Sequence, residues 1–111
     1  MAKRKYKIIL SRRADRMLLG HTQFLAKVSP AAARRFITGY KKTEARIASN
    51  PFQFPIADGV DAPGISPGTH RRGLFAERYK VLFVVEENDV FIEAIIDCRQ
   101  ENDKLFGGIG K

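Results

Sequence analysis

Five cations in the second half of the chain are placed as phosphate chemistry would need them: Arg71, Arg72, Arg78, Lys80 and Arg99. Lys80 lies in the apolar run from Tyr79 to Glu86, and Arg99 follows the run from Val90 to Cys98. Cations held on a rigid backbone bind phosphate, or stabilise the negative charge that builds in a phosphorane-like transition state. Metal-independent RNA cleavage further requires a base for the 2′-hydroxyl and an acid for the leaving oxygen. His70 is the histidine nearest this set, and an ordinary imidazole pKa of about 6.5 suits that work. Taken singly, each cation reads as a solvated charge and His70 as a surface imidazole; only the set carries a functional reading. Glu93 and Asp97 read as partners for neighbouring arginines rather than as the acid–base pair of a hydrolase.

The remaining reactive side chains point away from catalysis. His21 sits on the apolar face of a helical segment and reads as core. Cys98 closes an apolar run with no base beside it, which describes a buried, inert thiol. A single cysteine excludes an internal disulfide, and the histidines at 21 and 70 show no metal-ligand spacing. Gly59, Gly64 and Gly68 lack the Lys-Ser/Thr partner of a phosphate-binding loop. No cofactor and no metal are expected.

The elements that must carry these residues can be read from the apolar spacing. Tyr6 to Leu10 reads as a strand, with Ser11 as the cap of a helix after it. Ala14, Met17, Leu18, His21, Phe24, Leu25 and Val28 recur at three- and four-residue spacing, which predicts a helix from Ser11 to about Lys27. Ser29-Pro30 opens a second helix, which Asn50-Pro51 ends. Its buried stripe is Ala33, Phe36, Ile37, Tyr40 and Ile47, with Arg34, Arg35, Lys41, Lys42 and Arg46 away from it. So short a connection predicts an antiparallel helical hairpin. Residues 51–69 form a long Pro/Gly-rich loop. Strands are then expected over Arg71–Phe75, Tyr79–Glu86 and Val90–Cys98, joined by tight turns at Ala76-Glu77 and Glu87-Asn88-Asp89. The fold class is α+β: an N-terminal strand, an antiparallel helical hairpin, then a three-stranded antiparallel sheet, in one domain spanning 1–111.

Composition bounds the class. The 111 residues are 44% hydrophobic and 29% charged, a globular balance. No apolar run approaches the roughly 18 residues of a membrane span, and Ile8-Ile9-Leu10 is too short for a signal-peptide core. A reducing cytoplasm is the expected location. The net charge is +8, and it is unevenly spread. Residues 1–50 hold 13 Lys/Arg against Asp15 and Glu44, whereas residues 51–111 hold 7 against 10 Asp/Glu. Such a field favours an anionic partner, whether nucleic acid, an acidic protein segment or a ribosomal surface.

The same residues resemble a known family. Ser29-Pro30-Ala31-Ala32-Ala33-Arg34-Arg35-Phe36-Ile37 at the start of the second helix, and Ile47-Ala48-Ser49-Asn50-Pro51 at its end, resemble the RelE/ParE superfamily of bacterial toxins. Arg78-Tyr79-Lys80-Val81-Leu82-Phe83-Val84-Val85, followed by Val90 to Arg99, is similar to that family's terminal hairpin. The resemblance spans about residues 6–100. It implies the toxin of a type II toxin–antitoxin pair (a plasmid-stabilisation type of protein) held inactive by a cognate antitoxin. ParE-like members inhibit DNA gyrase; RelE-like members cut mRNA in the ribosome. On the RelE-like reading the matching positions make Lys80, Arg99 and Arg71 catalytic, with Arg72, Arg78 and His70 in binding roles. The nuclease branch usually carries Tyr or His near the C-terminus, where this chain has Leu105-Phe106. The opening of the second helix also looks ParE-like, and the resemblance leans that way. A nucleic-acid-binding module without toxicity is the third reading, motivated by the basic first half.

Overall fold

Two serines set the helical hairpin. Ser11 and Ser29 are extended at their backbones, and their hydroxyls accept the amides of Ala14 at 3.0 Å and Ala32 at 3.3 Å. Each thereby satisfies an amide that has no partner within its helix. Helix α1 runs Arg12–Val28 and α2 runs Pro30–Ser49, so Ser29 alone separates them. The Ser29 amide closes α1 by donating to the Leu25 carbonyl at 2.8 Å. Pro30 comes next, at the first helical position, where an amide would have no helical partner. At the far end the Asn50 side chain accepts from the Phe52 amide at 3.2 Å, which starts a short 3-10 turn over Pro51–Gln53. The computed structural model describes residues 5–57 and 69–98.

The strands are β1 (Lys7–Leu10), β2 (Arg71–Phe75), β3 (Tyr79–Glu86) and β4 (Asp89–Asp97). β2, β3 and β4 form the expected antiparallel meander. β1 joins it parallel to β4, giving a four-stranded mixed sheet in the order β1-β4-β3-β2. β3 is therefore internal. Val81 and Phe83 face the helices in the main core, while Leu82 on the opposite face packs with Ala57 and Ala94.

β4 departs from simple alternation. The register skips Glu93 between the Leu82–Ala94 and Phe83–Ile92 pairs, which is a β-bulge. An extra residue shifts the phase of the side chains beyond it. Ile92 and Ile95, three apart, thus both join the helix-side core, and Ala94 joins the other cluster. β1 pairs only as far as Ile92, and α1 seals the β4 edge from there. The Ser11 amide and hydroxyl donate to the carbonyls of Ile92 at 2.9 Å and Glu93 at 3.2 Å. His21 Nε2 donates to the Ile95 carbonyl at 2.8 Å, which fixes its tautomer. His21 is thus a structural residue, its ring edge-on to Phe36 and Tyr79.

Phe36 lies at the centre of the core with 1% of its surface exposed. Its ring is 4.7 Å from that of Tyr79 and 5.4 Å from that of Phe75. Aromatic pairs at such spacings contribute about 0.5–1.5 kcal/mol each beyond their buried area. The loop after α2 is more ordered than its composition suggests: Ile56 bridges Arg71 and extends the sheet edge past β2. Gly73 is what lets this segment close, since a Cβ there would stand 2.9 Å from the Phe54 ring and 3.2 Å from Thr43 Cγ2. Gly73→Ala is expected to destabilise the fold by about 1–3 kcal/mol through overpacking. Urea unfolding measures this, and an unchanged midpoint would contradict the close approach.

Candidate functional site

Strand alternation divides the cations that cluster in the sequence. Arg72 stands opposite Leu82, and Leu74 opposite Lys80, on the sheet face away from the helices. Arg72 and Lys80 are thus diagonal cross-strand neighbours, a spacing of roughly 7–8 Å between backbones. Residue 70 precedes β2 by one position, and its alternation places it on the Arg72 side. Arg71 stands opposite Phe83 on the helix side, where its guanidinium donates to the Phe54 carbonyl at 2.7 Å. The same guanidinium stacks 5.2 Å above the Phe52 ring.

Arg78 and Asp97 close the end of the meander. Arg78 Nη2 lies 3.3 Å from Asp97, a carboxylate with only 5% exposure. Arg78 also donates to the Tyr79 hydroxyl at 3.3 Å. That hydrogen bond, with smaller help from the charge of Asp97, holds the Arg78 guanidinium above its ordinary pKa against the opposing effect of burial. Arg78 therefore stays cationic, and its carbonyl accepts the amide of Cys98, just past β4, at 2.7 Å. Cys98 is half-buried. Arg99 lies outside the described residues.

The residues of the outer face differ in how they are held. Lys80 is 6% exposed, so its ammonium group sits on the sheet under cover rather than extended into solvent. Arg72 is half-buried, and its Nε is buried with no hydrogen-bond partner among the described residues. A guanidinium with an unmet donor is a strong attractor of an acceptor such as a phosphate or carboxylate oxygen. His70 Nδ1 is 2.8 Å from the Thr69 hydroxyl, and its carbonyl accepts the Ala57 amide at 2.7 Å. Arg72, Lys80 and His70 thus share this face of the sheet. Among the described residues no group of three or more His, Cys, Asp or Glu could hold a metal ion.

Sequence spacing pointed to the set, and the alternation of the expected strands divides it into two faces. It did not reveal the anchoring of Arg71 by Phe52 and Phe54, which depends on the turn after α2. The Asn50-Pro51-Phe52 run, with an Asx-type cap before proline, was the available signal.

The hairpin over a mixed sheet, with β1 returning beside β4, defines an α+β domain. A chain from the chromosomal ParDE TA system of P. aeruginosa has the same fold, with a TM-score of 0.62 over 86% of this chain and 98% of that one. The identity is 12%, so the likeness is one of fold. The sequence matches no protein-family model and no curated protein.

Arg72→Met tests the outer face. It keeps the aliphatic stem and removes the unmet Nε, so it is expected to stabilise the fold by about 1 kcal/mol. A lowered thermal midpoint would show that the Arg72 head group is structural instead.

Proposed function

We propose that this chain is the toxin of a type II toxin–antitoxin pair, a cytoplasmic growth inhibitor neutralised by a cognate antitoxin. The observation that carries this is the fold match, which takes in nearly the whole of a chain from a ParDE system. The Arg78–Val85 strand and the Ser29-Pro30 helix start support it independently from sequence. Within that class the ParE-like reading, inhibition of DNA gyrase without cleavage of nucleic acid, is favoured. It is supported by the Leu105-Phe106 pair standing where the nuclease branch has Tyr or His, and by the way the cations are used. Arg71 and Arg78 are tied to the protein's own carbonyl, hydroxyl and carboxylate groups.

One observation favours the second reading, a RelE-like ribosome-dependent endoribonuclease. Arg72 and Lys80 share the outer face with His70, and the Arg72 Nε is unmet. In that case Lys80 and Arg99 stabilise the transition state while Arg72 and His70 hold the phosphate backbone.

Induced expression in a bacterial host is expected to arrest growth, and co-expression of the adjacent small open reading frame to restore it. Purified protein should then block supercoiling by DNA gyrase and leave translated mRNA intact. Supercoiling that proceeds normally, together with mRNA cuts lost in Lys80→Ala, would replace the gyrase reading with the nuclease one. Undisturbed growth on full expression would remove both.

A further inference from the structure

A second charged site lies on the other side of the molecule, between α2 and the β2–β3 turn. It is a cleft of about 540 Å³. Arg34, Arg35 and Lys42 line one wall, and Glu77 lines the other. Ala31, Gly39 and Ala76 supply small apolar surface between them, and Thr38 adds a hydroxyl. Arg34, Arg35, Lys42 and Glu77 are all exposed, and among the described residues none of their side chains makes an ion pair or hydrogen bond.

The turn that presents Glu77 is conformationally costly. Ala76 and Glu77 are consecutive left-handed residues, with φ of 48° and 69°, and neither is glycine. The Arg78 amide donates back to the Ala76 carbonyl at 2.9 Å, which tightens the turn further. Hairpin turns with positive φ normally use Gly, Asn or Asp. Strain of this kind gathers where a side chain must be held in place.

We infer that this cleft docks an acidic peptide segment of a partner protein. Its carboxylates meet Arg34, Arg35 and Lys42, its small apolar side chains rest on Ala31, Gly39 and Ala76, and a donor group meets Glu77. The mixed sign of the walls selects peptide over nucleic acid. A phosphodiester chain is negative along its whole length and is repelled by Glu77, whereas a peptide carries acidic groups and donors side by side. Among the described residues the lining also has no aromatic ring on which a base could stack. This inference does not rest on the toxin reading.

The test uses the full chain and a synthetic Glu-rich peptide bearing one Lys, with its Gln-for-Glu counterpart and an oligo(dT) strand of matching charge as controls. Amide NMR should show the Glu-rich peptide shifting Arg34, Arg35, Thr38, Gly39, Ala76 and Glu77, with the Gln counterpart inactive. Arg34→Glu combined with Arg35→Glu should weaken binding about tenfold or more, as expected of reversed interface charges. Glu77→Lys should weaken peptide binding and raise affinity for oligo(dT). Unmoved cleft amides at millimolar peptide, unchanged affinity in the charge-reversed variant, or tighter binding of oligo(dT) than peptide by the wild-type cleft would each overturn the assignment.

Discussion

The burial of Phe36 is the constraint on which the other contacts depend. One ring at the middle of α2 meets His21 of α1, Phe75 of β2 and Tyr79 of β3. One helix and two strands are thereby held against a single side chain. Burying Phe36 fixes the rotation of α2, because its helical neighbours must then point elsewhere. Ala33, Tyr40 and Ile47 turn inward with it, and Arg34, Arg35 and Lys42 are left in solvent. The basic wall of the α2 cleft is thus a consequence of core packing. So is the position of the costly β2–β3 turn beside it, since Phe75 and Tyr79 on either side of that turn are anchored in the same aromatic cluster.

A second constraint is the satisfaction of strand edges. β1 is too short to cover β4, and the uncovered carbonyls beyond Ile92 need donors. Ser11 and His21 supply them, so a helix cap and a core histidine double as edge protection. On the opposite edge, the Ala57 amide donates to the His70 carbonyl and the Arg72 amide to the Pro55 carbonyl. These bonds hold the start of β2 still, and with it the two arginines that face opposite ways from adjacent positions. Arg71 is consumed by Phe52 and Phe54, while Arg72 keeps an unmet donor on the outer face. The two charged surfaces of the molecule thus come from different causes: one from the rotation of a helix, the other from the pleat of a strand.

Much of this was legible in the chain. The Ser29-Pro30 junction, the bounds of β2 and β3, and the tight turns between strands come from local chemistry that acts within a few residues. The Arg78–Val85 run carried the family resemblance. Other features were not legible, because they depend on partners far along the chain. The bulge at Glu93 leaves no mark in an apolar run that reads equally well as a regular strand. The 3-10 turn and the Ile56 bridge lie in a segment whose Pro/Gly content reads simply as loop. Of the candidate cations, spacing placed Lys80 on a strand, but its burial comes from what covers the sheet.

By itself, then, the sequence determined which elements form and in what order, since caps, prolines and apolar periodicity are local. It also determined that the first half is strongly basic. Only the tertiary structure decided that β1 returns parallel to β4, that Phe52 and Phe54 anchor Arg71, and that Glu77 lines a cleft with Arg34 and Arg35. Those outcomes depend on which distant groups satisfy one another once Phe36 is buried, and no short window of residues contains that information.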